Sequence, residues 1–485
     1  MSTTVGTTPG AGASAAAPTA SDQEGPQFKR VLGLPALVFF GLAYMVPLTV
    51  WTTYGVVTDQ TNGHLPAAYV VTIVAMLLTA YSYGRMVEAR PTAGSAYTYA
   101  SSAFGRGIGF MVGWGLLLDY VFLPMINYLV IGLYMTDYFP GVPQEIWIVA
   151  AIVLCTGLNI LGVRLLANMN LVFVVAQLIF IVVFVALVIG KITGDVEVKS
   201  FTAPFFESGM DSGAVFAGAA VLALSFLGFD AVSTLSEETR DPRRLIPRAI
   251  MLCTFVGGGV YVLQSYAGHL VFPDYQSFAD HADVASTDVM KATGGDLLNS
   301  FFTATYVAGA FACAMAAQAS VSRVLFAMGR DGSLPRPVFG RLHHRYRTPV
   351  TANLVVGAAG FLALVLSLAT VSSIISFGAL LAFSFVNLSV TKHYLIDGGR
   401  RSGADLLRFG AIPVVGFAVT IWLWTNLSGK TFLIGGLWLV VGLLWLLFLT
   451  RGFTRKPPAM YTGDEEGLED DPAATPGAGP APAAA

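Results

Sequence analysis

Apolar residues run in long, charge-free stretches along this chain, and the charges gather between them. Leu65–Gly84, Ile146–Val163, Leu165–Gly190 and Thr431–Thr450 are such stretches, and Thr348–Thr391 is long enough for two. A helix needs about 20 apolar residues to cross a bilayer. A buried helix of a soluble protein rarely stays apolar on every face for that distance. The pattern predicts an all-α membrane protein of about twelve transmembrane helices. They are expected at 31–57, 65–87, 107–136, 145–162, 168–190, 213–237, 248–271, 297–327, 349–368, 371–392, 410–427 and 431–450.

An even span count puts both termini on one side, and the charges test this. With the termini in the cytoplasm, 23 of the 27 Lys and Arg residues fall on cytoplasmic segments or adjoining span ends. Only Lys191, Lys199, Lys291 and Lys430 fall elsewhere. This positive-inside bias supports the span count and predicts a multi-pass protein of the inner (plasma) membrane with both termini cytoplasmic. A transmembrane domain is expected over 29–456. Residues 1–28 lack the basic start and apolar core of a signal peptide. Residues 457–485 are acidic, then rich in Pro and Ala. Both ends read as disordered tails.

Composition narrows the chemistry. Apolar residues make up 55% and charged residues 12%, against about 25% charged in globular chains. The net charge of −2 by itself selects no partner, and no nucleic-acid partner is expected. Cys155, Cys253 and Cys313 all lie in apolar runs, which argues against a disulfide framework. The HExxH, GxSxG and P-loop patterns are absent, and the six histidines lie at span ends or in loops. The reading is therefore no enzyme, no cofactor and no metal site. The 272–296 loop carries Asp274, Asp280, Asp283, Asp288 and Asp296. A negative mouth raises the local cation concentration. The plainer account is that acids remain where basic residues are depleted.

Two spans are irregular. The first carries Gly41, Tyr44 and Pro47 in its middle; the sixth carries Gly228 and then turns polar at Asp230, Ser233 and Thr234. Helix breakers in corresponding spans point to an inverted-repeat transporter. The repeats would be 31–190 and 213–392, with helices 11 and 12 appended at 410–450. Taken singly, such residues are also common in ordinary membrane helices.

Asp119 in span 3 and Asp230 in span 6 are acids at mid-membrane depth, where no Lys or Arg is found. A carboxylate there is costly and marks function by default. The functional reading is that each holds a cation, a substrate amine or a proton. The structural reading is a hydrogen bond to a broken helix end. Phe122, Leu123 and Asn127 share a helical face with Asp119, and Tyr120 lies on a neighbouring face. Tyr44, Phe226 and Phe229 surround the two breaks. Aromatic faces attract desolvated ammonium groups by about 0.5–2 kcal/mol, although each ring alone also serves as packing. The first break reads Gly41-Leu-Ala-Tyr-Met-Val-Pro47. It lacks the glycines that expose backbone N–H groups to a substrate carboxylate. Two acids and a poor anion nest suit a diamine better than a zwitterion.

Several stretches resemble the amino acid–polyamine–organocation superfamily, most closely its bacterial putrescine importers. They include GLAYMVPLTV at Gly41–Val50, AGSAYTYA at Ala93–Ala100, LLDYVFLPMIN at Leu117–Asn127, SFLGFDAVSTLSEET at Ser225–Thr239 and ASVSRVLFAMGRD at Ala319–Asp331. The likeness extends over residues 30–455. It implies a LeuT-like 5+5 inverted-repeat fold with helices 1 and 6 broken, alternating access, and uptake driven by an ion gradient. It places Asp230 beside the substrate, with Asp119, Tyr120 and Asn127 on the facing wall. Glu237, Glu238, Arg240 and Arg248 resemble the cytoplasmic end of span 6 and its loop, where they form either a gate ion pair or plain solvated loop charges. Ser320 and Ser322 match the place where sodium-coupled relatives hold their ion. Span 5 has no lysine to carry a proton.

The resulting expectation is a secondary transporter that imports a cationic polyamine, putrescine first, by proton rather than sodium symport. The same-fold alternative is an amino acid:cation symporter. The alternative from another class is a non-transporting membrane sensor, which has no reason to keep two costly buried acids.

Overall fold

The computed structural model describes residues 31–455 and 457, apart from 92–94, 163–165, 195–197, 199, 237, 279–280, 331–333, 344–345 and 347. The expected tails, 1–28 and 457–485, lie almost wholly outside the described residues, as does Glu237. The described chain is almost entirely helical, with a single isolated bridge. In order, the helices are α1 (Leu34–Met45), α2 (Tyr54–Gln60), α3 (Leu65–Ala89), α4 (Ser95–Phe104), α5 (Arg106–Tyr138) and α6 (Gln144–Leu161). Then come α7 (Leu166–Gly194), α8 (Ser212–Leu222), α9 (Pro242–Val271), α10 (Ser286–Arg330) and the short α11 (Arg336–Phe339). The last are α12 (Val350–Gly360), α13 (Leu368–Thr391), the single turn α14 (Gly403–Asp405), α15 (Ile412–Thr425) and α16 (Gly429–Leu449).

Among the described residues, eleven helical stretches are long and apolar enough to cross a membrane. At the ninth expected span stands a shorter apolar stretch, Val350–Leu364, which is not among those eleven. Spans differ in their surroundings. In the stretch containing α13 the most apolar window is 78% buried within the protein, and in that of α16 it is 17% buried. The first stands in the centre of the bundle and the second on its rim.

The first span is broken at its middle. Helix α1 stops at Met45, and Val46 takes φ 53° before Pro47. Proline donates no N–H and biases the residue before it away from helix. The chain resumes as a 3-10 turn at Thr49–Thr52. Gly41 was expected at this break. Instead it lies inside continuous helix, four residues before the end. Its place is a close crossing: an added Cβ would lie 2.8 Å from Val232 Cγ2 and 2.9 Å from Cys253 Sγ.

A break inside a membrane frees backbone groups that lipid cannot satisfy. Neighbouring spans satisfy them here. The Tyr261 hydroxyl donates to the Met45 carbonyl at 2.7 Å. Gln264 Nε2 donates to the Pro47 carbonyl at 2.9 Å, while its Oε1 accepts the Trp51 indole N–H at 2.9 Å. The Leu48 N–H donates to Gln177 Oε1 at 3.4 Å.

The sixth span is broken in the same manner. After α8 comes a 3-10 turn at Ala223–Phe226, a non-helical step at 227–229, and a second 3-10 turn at Asp230–Leu235. Gly228 holds φ 118°, a conformation that side chains resist. An added Cβ would also sit 2.6 Å from the Tyr44 ring and 3.0 Å from the Met45 amide. The two breaks therefore touch one another.

The opposite ends of these half-spans are tied as well. The Glu238 carbonyl accepts the N–H groups of Val31 and Leu32 at 2.9 and 3.0 Å, and the Arg240 N–H donates to the Leu32 carbonyl at 3.3 Å. On the far side of the breaks, Trp51, Tyr134, Phe184, Phe302 and Tyr306 form a buried aromatic plug. Trp51 meets Phe184 edge-on at 5.2 Å, and Tyr134 meets Tyr306 at 4.9 Å.

Replacing Gln264 by Leu leaves the Pro47 carbonyl and the Trp51 indole unpaired in apolar surroundings. Each orphan costs about 1–3 kcal/mol. Thermal unfolding of the detergent-solubilised variant should show a clearly lower midpoint. An unchanged midpoint would mean that Gln264 does not hold the break.

Candidate substrate site

Between the two breaks and α5 lies a cavity of about 370 Å³, near the lower end of small-ligand sites, roughly 300–1,000 Å³. Tyr44, Asp119, Tyr120, Asp230, Ser95 and Ser320 line it. No Lys or Arg does. Gly113 on α5 and Val324 and Met328 on α10 line its lower part. Gly113 lies seven residues from the start of α5 at Arg106 and Met328 two from the end of α10 at Arg330, so this part of the lining points toward the arginine-rich end.

Asp230 opens the second half of the sixth span. Its Oδ1 accepts the Gly228 N–H at 3.2 Å, and its Oδ2 accepts the Ser95 hydroxyl at 3.5 Å. The backbone N–H groups of Asp230 and Ala231 also face this carboxylate. An acid at the start of a helical segment is favoured by the positive end of the backbone dipole. Asp119 is 5% exposed, and its Oδ1 has no hydrogen-bond partner among the described residues. It lies within Coulombic reach of Asp230. Tyr44 stands within reach of both carboxylates. Two acids, aromatic walls and no described base give the cavity an acidic lining.

Several expected site residues lie elsewhere. Asn127 was placed on the wall with Asp119. Its Nδ2 instead donates to the Leu123 carbonyl at 2.8 Å and faces Cys313 Sγ at 3.5 Å, away from the cavity lining. Eight helical residues rise about 12 Å, which carries Asn127 past the cavity. Phe226 and Phe229 are fully buried as packing. Phe226 meets Tyr261 at 5.6 Å, and Phe229 meets Tyr83 at 5.5 Å. A broken helix turns sequence neighbours in different directions, so proximity to Gly228 did not bring these rings to the site.

Pro47 is buried at the break and does not line the cavity. Ser320 lines it, but Ser322 is turned to α12 and donates to Asn353 Oδ1 at 3.0 Å. The expected gate ion pair is absent among the described residues. Glu238 and Arg240 are joined to the first span through their backbones, and Arg240 and Arg248 are exposed.

Residues 36–427 match the sequence profile of the amino acid permease family. The chain belongs to this family. The permease is 38% identical over 442 residues to the low-affinity putrescine importer PlaP of Escherichia coli, covering 90% of this chain and 96% of that protein. It is 26% identical to the branched-chain amino acid permease BcaP of Bacillus subtilis, covering 87% of this chain and 93% of that one. The methylthioribose transporter of the same organism is also 26% identical, over 87% and 94% of the two chains.

Sequence reasoning about this permease missed α4. Its first residue, Ser95, supplies a hydroxyl to Asp230, and Tyr97 lines the cavity. The signal was present in the Ser- and Tyr-rich stretch after the second span. It also passed over Gln177, Tyr261 and Gln264, uncharged polar residues within spans that hold the first break.

Gly228→Ala tests the joint between the breaks. The unusual φ costs about 1–3 kcal/mol for a residue with a side chain, and the new methyl meets Tyr44. Membrane insertion should persist while uptake falls at least about tenfold, since 1.4 kcal/mol is a factor of ten. Wild-type transport by this variant would show that the break rearranges freely.

Proposed function

We propose that this permease imports a small polycation, putrescine first, across the plasma membrane by alternating access. One observation carries the preference for an amine over an amino acid. The backbone N–H groups at the breaks are already used. Val46 donates to Ala43, Leu48 to Gln177, Thr49 to Val46, and Phe229 to Phe226. Those of Gly228, Asp230 and Ala231 face the Asp230 carboxylate. In transporters with broken helices, such half-helix N-termini hold a substrate's carboxylate. Here the protein supplies that anion itself, and an incoming α-carboxylate would meet Asp230 instead of free donors.

In this reading Asp230 binds one ammonium group through charge-assisted hydrogen bonds. Asp119, with its unpartnered oxygen, takes the second. Tyr44 and Tyr120 line the space between. The likeness to an importer named for putrescine agrees with this assignment. The positive-inside rule puts the arginine-rich end and both termini in the cytoplasm, so the described conformation faces inward. The repeats are assigned to 31–190 and 213–392. The coupling ion is assigned as a proton. Ser322 bonds to Asn353, so the two hydroxyls expected at a sodium site do not converge on the cavity.

Asp230→Asn keeps the shape and removes the charge. The purified variant should fold and insert but lose putrescine binding by at least about tenfold, as measured by calorimetry or scintillation proximity. Unchanged affinity would remove Asp230 from the amine site. In cells lacking their own polyamine carriers, cadaverine should compete with labelled putrescine, and leucine and glutamate should not. Competition by leucine but not cadaverine would favour the amino acid reading. In proteoliposomes, an inward proton gradient should accelerate uptake. Stimulation by a sodium gradient alone would overturn the coupling assignment.

A further inference from the structure

A second cavity, of about 550 Å³, opens at the arginine-rich end between α1, α3 and α9. Arg85 of α3 and Arg243, Arg244 and Arg248 of α9 line it, with a single acid, Glu88. Arg85 is paired with that acid at 2.8 Å and lies over the Tyr81 ring at 5.1 Å. Its Nε is buried and has no hydrogen-bond partner among the described residues. Arg243, Arg244 and Arg248 form no ion pair with any described residue. They stand in the first two turns of a helix whose N-terminal dipole is itself positive. Glu88, already paired with Arg85, is the one acid among the described lining residues, and Asp241 stands just before the helix.

Apolar residues continue from the charged part. Leu34, Met251 and Leu252 line the same cavity. Arg244, Arg248 and Leu252 lie four residues apart on one face of α9, and Phe255 and Val256 follow on that face. Leu252, Phe255 and Val256 are 42%, 64% and 41% exposed, on a span that faces lipid there. The guanidinium groups thus sit at the membrane boundary, with an exposed apolar stripe running from them into the bilayer.

We infer that this cavity is a binding site for the phosphate headgroup of an anionic phospholipid, with an acyl chain laid along Leu252, Phe255 and Val256. Planar guanidinium groups match phosphate oxygens through paired N–H donors. Basic pockets between spans on the cytoplasmic side suit anionic headgroups. The exposed stripe favours a lipid over a free anion, because only a lipid has a chain to cover it. The cavity stands apart from the acidic one, and the inference does not depend on the transported substrate.

The test uses the purified full-length permease and native mass spectrometry with phosphatidylglycerol or phosphatidylcholine. Phosphatidylglycerol should be retained in preference. The triple variant Arg243→Gln, Arg244→Gln, Arg248→Gln should lose that preference, by about fivefold per arginine. Arg451→Gln with Arg455→Gln, also basic and at the same end, should keep it. Size-exclusion profiles check that each variant is folded. Equal retention of the two lipids, or an unaltered triple variant, would overturn the site. Displacement of phosphatidylglycerol by excess inorganic phosphate would overturn the lipid as occupant. A marked gain in phosphatidylglycerol on deleting residues 457–485 would assign the cavity to the chain's own acidic segment and overturn the inference.

Discussion

The structure depends on satisfying backbone polarity where lipid offers no partner. A helix meets that demand alone; an interrupted helix cannot. Two interruptions at the centre of this bundle therefore dictate what surrounds them. Gln264 serves the first break with both ends of its amide, and Gln177 and Tyr261 take further backbone groups. At the second break, Asp230 gathers the exposed N–H groups on its own carboxylate. That arrangement satisfies the break and leaves an acid facing the cavity, so in the proposed reading stability and charge selectivity come from the same atoms.

The second acid shows the complementary case. Asp119 Oδ1 lacks a partner among the described residues. An unpaired buried acceptor is expensive, and the partner that removes the cost is a cation bearing donors. In the proposed reading an ammonium group of the substrate is that partner. One carboxylate is held by backbone and side-chain donors, and the other has an oxygen without a partner among the described residues.

Much of this was legible in the sequence because lipid imposes a coarse rule. Long charge-free runs gave the spans, and acids within them stood out at Asp119 and Asp230. Pro47 and Gly228 marked the breaks because their backbone chemistry is local. Side-chain direction was less legible. Asn127 shares a helical face with Asp119 but lies too far along the axis. Phe226 and Phe229 flank Gly228 in sequence, yet the break points them into packing. Gly41 looked like a helix breaker, whereas a close crossing with Val232 and Cys253 explains it. The contribution of Ser95 depended on α4 folding under the cavity, a tertiary event without a periodic signature.

The backbone tie between 31–32 and 238–240 has a mechanical consequence. Three hydrogen bonds join the arginine-rich ends of the two half-spans, and Gly228 seats against Tyr44 at the other. Fastened at both ends, the halves form one stiff lever rather than two independent flaps. Helix α1 has 12 residues, which gives an arm of roughly 18 Å. A tilt of a few degrees at the fulcrum then becomes a displacement of about an ångström or more at the membrane boundary, so a small repacking around a bound ligand is enough to change the width of the exit.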